Sequence, residues 1–149
     1  MLQKLYDTYG IKAVATATDI TRYGYSTRAC KIPTDNGRIN GLILIEEMNK
    51  FEASENKGRA LFKSFLDQVG ATGQPTEDCY DRVDYYFQIS DKKYVAEIKV
   101  RNAFYSDYLI EADKLKALED TKNSERLNGA FYVCFYGNQM YLFSTKAIK

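Results

Sequence analysis

Apolar positions along this chain change their period several times, and each change marks an element. Ala60, Leu61, Phe62, Phe65, Leu66 and Val69 recur at intervals of three and four, the stripe of an amphipathic helix. Ser54-Glu55-Asn56-Lys57 opens that helix, with Ser54 as N-cap and an acid in the first turn, and Gly70 suits its C-cap. ATGQPTED (71–78) reads as a loop. CYDRVDYYFQI (79–89) and KKYVAEIKVR (92–101) then alternate at period two and form a hairpin around the polar SDKK run. After an irregular NAFYSDY (102–108), LIEADKLKALEDTKNSER (109–126) reads as a second helix that packs through Leu109, Ile110, Leu115 and Leu118. NGAFYVCFYG and NQMYLFSTK close the pattern as a second hairpin, turning at Gly137-Asn138.

The first fifty residues carry a weaker pattern. LQKLYDTYG (2–10) looks like a short helix closed by Gly10, IKAVATATDI (11–20) leans towards strand, and YSTRACKI (25–32) reads as a strand before a PTDNG turn at 33–37. RINGLILIEEMNKFEAS (38–54) suits strand and helix equally. The expected organisation is one domain of 149 residues, an N-terminal extension over 1–50 and a core over 54–145. The core order αββαββ predicts an α/β (α+β) fold, a sheet with helices packed on it.

Composition narrows the chemistry more than the fold. Lysine and arginine number 21 against 20 acids, a net charge of +1, so any binding of nucleic acid has to come from a local patch. Histidine is absent, which disfavours a zinc site and removes Ser/His and Cys/His nucleophilic catalysis. Carboxylates, lysine and tyrosine remain. The 13 tyrosines alternate mostly along strand-like runs, where sheet packing accounts for them, although the same rings can stack on bases. Cys30, Cys79 and Cys134 are odd in number and outside metal spacing, as expected of reduced core residues. The longest apolar run, GLILI (41–45), is strand-length, so no membrane span is expected and the protein is read as soluble and cytoplasmic.

One constellation can do chemistry. Asp84 is followed after twelve residues by Glu97-Ile98-Lys99. In a strand, residues i and i+2 share a face ~6.5 Å apart, so Glu97, Lys99 and Arg101 lie on one face and Ala96, Ile98 and Val100 on the other. With SDKK as a four-residue loop, Ile89 faces Tyr94, Asp84 faces Lys99 and Tyr86 faces Glu97. Asp84 and Glu97 then become diagonal neighbours, ~7–8 Å apart between Cα atoms. Both carboxylates could reach one Mg2+, which binds oxygens at ~2.1 Å and keeps several waters. Mn2+ would substitute. The Ile98 carbonyl is a third candidate oxygen. Lys99 would orient or help deprotonate a water, or offset charge on the transition state. These groups should converge on one solvent-accessible cleft. The opposing reading is a strand face of alternating charges.

Asp84, Glu97 and Lys99 resemble the core of the PD-(D/E)xK superfamily, the restriction-endonuclease-like fold that includes Holliday-junction resolvases and many phage-encoded nucleases. The resemblance implies a central mixed sheet flanked by helices, an αβββαβ-like core over 54–145, and a DNA-cleaving activity. It carries over Asp84 and Glu97 as metal ligands and Lys99 as the catalytic lysine. Val83 stands where the motif has proline, and Asp81 is an alternative first acid. Many members carry a further glutamate on the helix before the hairpin. Glu55 is the candidate for it, with Glu52 as fallback. Some place another polar residue on the helix after the site, where Lys114 and Lys116 fall. Arg101, Lys114, Arg59 and Lys57 are the candidate phosphate contacts, and for Lys114, Arg59 and Lys57 a solvated surface charge is the reading the sequence favours. The function expected is a Mg2+-dependent deoxyribonuclease, a small endonuclease of a phage or mobile element. Cutting both strands would favour a homodimer. The alternative is a non-catalytic accessory or inhibitory protein on the same fold, binding nucleic acid or protein. A small-molecule hydrolase or transferase is disfavoured, since histidine, a Gly-rich phosphate loop and a GxSxG elbow are all missing.

Overall fold

The computed structural model describes residues 20–23, 27–39, 54–76, 83–137 and 139–145. Along them run β1 (Ile20–Tyr23), β2 (Thr27–Pro33), a 3-10 turn (Thr34–Gly37), α1 (Ser54–Val69) and β3 (Thr72–Pro75). β4 (Tyr85–Ile89), β5 (Lys92–Arg101), β6 (Asp107–Glu111), α2 (Ala112–Ser124), β7 (Gly129–Tyr136) and β8 (Gln139–Ser144) follow. The strands form a three-stranded sheet, β1-β2-β6, and a five-stranded sheet, β3-β4-β5-β7-β8. Every pairing is antiparallel except β5 with β7, whose parallel contact is made possible by the crossover through β6 and α2. The result is a mixed α/β fold. Among the described residues, no helix is long and apolar enough to cross a membrane.

β5 divides the core because its side chains alternate between two faces. Tyr94 and Ala96, with Ile98 and Val100 beyond them, pack with Leu61, Phe62, Phe65 and Leu66 of α1 and with Tyr85, Phe87 and Ile89 of β4. Val95 faces the other way, towards Tyr108 and Ile110 of β6, Leu118 of α2, and Tyr132 and Cys134 of β7. Glu97, Lys99 and Arg101 share Val95's face by the same alternation. The carboxylate-bearing face is therefore the α2 face, and α1 backs it from the opposite side.

Gly58 sets how closely α1 approaches. A Cβ there would lie 2.8 Å from Ile98 Cγ2 and 3.2 Å from Val100 Cγ2. Both neighbours are β-branched and stiff at χ1, so they give way poorly. Gly58→Val is expected to cost about 1–3 kcal/mol by overpacking. A fall in the urea midpoint, with the slope unchanged, checks it.

Several sequence expectations meet the structure directly. α1 spans the predicted stripe, and Gly70 closes it at φ 71°. The PTDNG run forms the 3-10 turn, YSTRACKI supplies β2, and the last hairpin pairs Tyr136 with Gln139 around Gly137 at φ 58°. The segments 2–10 and 11–19 lie outside the described residues. Of 38–54, Arg38, Ile39 and Ser54 are described, with Arg38 bridging Tyr141 of β8. β2 pairs with β6, so strands from the N-terminal region join the region read as the core.

Three expectations are corrected. Thr72–Pro75, read as loop, pairs with β4 as an edge strand; all four residues are exposed, so no apolar alternation announces it. Asp107–Glu111 is strand β6, and the second helix begins only at Ala112. Tyr108 and Ile110, each 1% exposed, carry a period-two pattern that the adjacent Leu109-Ile110 pair disguised as a helix start. The hairpin turns through Ser90-Asp91 alone, with Ile89 facing Lys92 rather than Tyr94. Lys92 and Lys93 are exposed strand residues at the hairpin's end, so their polarity did not mark a loop. Ser90 takes φ 55°, the positive value that a two-residue hairpin turn needs.

Candidate active site

Shortening the loop by two residues keeps every side chain on its expected face and slides the register. Tyr85 now faces Ala96, which brings the preceding residue, Asp84, directly against Glu97 rather than diagonal to it. Asp84 holds both flanks of that glutamate. Its N–H donates to the Ala96 carbonyl at 3.0 Å, and its Oδ2 accepts from the Ile98 N–H at 2.8 Å. The charge of Asp84 acts directly on the Glu97 carboxyl.

Glu97 is 3% exposed, while Asp84, Lys99 and Lys114 are each partly open to solvent. Burial, then the charge of Asp84, pushes the Glu97 carboxyl up to about 7, and Lys114 and Lys99 pull back less strongly. Lys114, in the first turn of α2, places its Nζ 3.5 Å from Glu97 Oε1. The sequence-predicted trio comes together, but Glu97 is buried where an open, solvent-accessible cleft was expected. The cluster opens to solvent through Asp84 and the two lysines, with the Glu97 carboxylate itself lying beneath Lys114.

Burial and the nearby charge of Asp84 make ionising Glu97 costly, so near neutral pH its carboxyl is only partly ionised. That donor set fits a Mg2+-type ion, which uses one or two carboxylates and completes its shell with water and substrate oxygens. Asp84 and Glu97 would hold it, with the Ile98 carbonyl as the third oxygen named from the sequence. Among the described residues, no group of three histidine, cysteine, aspartate or glutamate side chains comes together. Asp81 and Glu52 lie outside the described residues, and of Glu55 only its place in the first turn of α1 is described.

The remaining candidates part company. Lys114 belongs to the cluster, a contact that its helical position alone did not reveal. Lys116 is exposed. Lys57 and Arg59 ride on α1, against the opposite sheet face, and Arg59's charge acts on Tyr85 rather than on the carboxylates. Arg101 is turned into the structure. Its guanidinium donates to Tyr132 Oη at 2.9 Å and to the Leu109 carbonyl at 3.3 Å, and its centre lies 5.9 Å over the Tyr108 ring. Those partners tie the end of β5 to β6 and β7. They could not be named from the sequence, because β6 was read there as an irregular stretch running into a helix.

Cys134 is fully buried, and desolvation pushes its thiol up to about 12, so it stays neutral and inert. A separate cavity of about 390 Å3, lined by Thr72, Gln74, Tyr86, Gln88, Lys93 and Leu127 among others, shares no residue with the carboxylate cluster. Comparison with protein-family models, with curated proteins and with solved structures finds no match to this chain.

Proposed function

We propose that this chain is a metal-dependent nuclease that hydrolyses DNA phosphodiester bonds at Asp84, Glu97 and Lys99. The observation that carries the reading is the meeting of Asp84, Glu97, Lys99 and Lys114 at one place, with the buried Glu97 carboxyl pushed up to about 7 by burial and by the charge of Asp84. The order of elements supports it. From α1 to β7 the chain runs α, three strands, the inserted β6, α and β, which is the αβββαβ order of the PD-(D/E)xK resemblance with one strand added.

When bound, Mg2+ or Mn2+ would polarise the scissile phosphate and acidify a water. The protein's own residues do the rest. Asp84 and Glu97 would hold the ion, and the Ile98 N–H fixes the orientation of Asp84. Lys99, on the same strand face two residues on, positions the attacking water or offsets the charge that builds on the phosphate oxygens. Lys114, 3.5 Å from Glu97, offsets part of that carboxyl's charge.

The test compares supercoiled, linear, single-stranded and branched DNA with Mg2+, Mn2+ or EDTA, using wild type, Glu97→Ala and Lys99→Ala. Metal-dependent cleavage is expected, with each substitution lowering the rate by about 10²–10³ or more. Cleavage in EDTA, or cleavage untouched by either substitution, would sink the assignment. The burial of Glu97 beneath Lys114 favours a second reading, in which the pair is structural and the protein is a non-catalytic accessory on this fold. DNA binding without cleavage under every metal condition supports that one.

A further inference from the structure

We propose that Phe104 and Tyr105, with Tyr136 beside them, form a stacking platform for unpaired bases next to the carboxylate site, so that the substrate is single-stranded or locally opened DNA. The platform rests on the nuclease reading for the site it serves. β5 ends at Arg101, and residues 102–106 are all exposed. Among the described residues, the large hydrophobics left exposed are Phe104 at 53% and Tyr105 at 51%. A lone exposed ring is ordinary. Two in succession, on a backbone that is held in place, are a presented surface.

The holding group is Thr34, itself 1% exposed. Its hydroxyl donates to the Tyr105 carbonyl, and its N–H donates to the Ser106 carbonyl at 2.8 Å. Both bonds reach across from the 3-10 turn that follows β2, so the loop backbone is fixed while its rings stay in water. Phe104 lies 6.0 Å from the Tyr136 ring at 56°. Tyr136 pairs with Arg101, which puts all three rings where the parallel strands β5 and β7 end. Ligands of parallel α/β units bind outside the carboxyl ends of their strands.

Reach agrees with a nucleic-acid occupant, and the affinity has to come from stacking rather than from charge. Phe104 lies five residues beyond Lys99, at most about 18 Å of chain. That equals about five nucleotide steps of a stacked strand at ~3.4 Å each. A net charge of +1 leaves little affinity to be drawn from counterion release. Base stacking needs no excess charge and tolerates any sequence. In an intact duplex both faces of each base are already covered, so the platform favours bases with a face free.

The experiment measures binding in EDTA, by fluorescence anisotropy, to a labelled oligothymidylate of about fifteen nucleotides and to a duplex of equal length. Wild type should bind the single strand at least about tenfold more tightly than the duplex. The double variant F104A/Y105A, and equally F104L/Y105L, should lose about tenfold to a hundredfold for the single strand, with duplex binding and Tm unchanged. The exchange F104Y/Y105F should retain wild-type binding. Equal affinity for both DNAs, no binding to either, or undiminished single-strand binding by a variant that melts as wild type would overturn the platform. Sedimentation showing that the rings hold two copies together, a dimer lost in F104A/Y105A, would overturn it too. Because the readout needs no cleavage, failure of the cleavage assay sinks the nuclease reading and leaves this result to stand or fall separately.

Discussion

Glu97→Gln is expected to stabilise the metal-free protein at pH 8 by about 2–3 kcal/mol and, under the nuclease reading, to abolish cleavage at the same time. The glutamate carboxyl moves from 4.5 to about 7 on folding, through burial first and Asp84 second. Between those values the folded state binds more protons than the unfolded one, so stability falls as pH rises through that window. The favourable contribution is complete below about pH 4.5 and gone above about pH 7. Glutamine keeps the shape and never ionises, so its variant escapes the loss. Urea unfolding in EDTA from pH 5 to pH 8 reads this directly: a falling wild-type profile against a flatter Glu97→Gln profile. Parallel profiles would show that Glu97 does not carry the proton. Under the nuclease reading, added Mg2+ restores wild-type stability at pH 8 and leaves Glu97→Gln nearly unmoved, since binding to the folded state alone raises stability. A residue whose removal both stabilises the fold and ends the activity is the signature of a site held at a cost for function.

Phe62→Ala is expected to cost about 3–5 kcal/mol, a large share of the stability of a domain this size. Phe62 is fully buried, stacks on Phe65 with centroids 5.7 Å apart, and meets Tyr85 and Phe87 edge-on at 5.1 and 5.2 Å. Truncation removes one ring from a cluster whose other members sit on two different elements, so the gap cannot close by moving one side chain. Tyr85 adjoins Asp84, and the same cluster backs Ala96 beside Glu97. The damage should therefore reach the site, as a drop in Tm and broadened signals around residues 84 and 97. Phe62→Leu should recover a substantial part of the loss by refilling volume without the ring contacts. A Phe62→Ala variant that melts within a degree or two of wild type would contradict this packing.

Much of this protein was legible in the order of its residues. Where one face of an element is buried and the other wet, the alternation of apolar and polar side chains is the fold written in advance. α1 and the strand around Phe87 were found for that reason, whereas the strand around Val133, buried on both faces, reads as one apolar run. Glu97 and Lys99 were placed on a common face by the same period of two, which no later sliding of register could change. What escaped lacked such contrast or depended on distant partners. Thr72–Pro75 is exposed along its length and shows no pattern, and Tyr108 with Ile110 sat too close to a helix to be seen as strand. The turn at Ser90-Asp91 was misjudged by two residues because exposed strand ends are as polar as loops. From that small difference came the direct contact of Asp84 with Glu97, in place of a diagonal one. Lys114 reaches Glu97, and Arg101 turns inward to Tyr132, because separate elements fold together, and residues far apart in sequence carry no mark of which partner they will meet. Local periodicity chose the face of the sheet on which the chemistry stands; long-range packing chose which charges meet there, and how deeply they are buried.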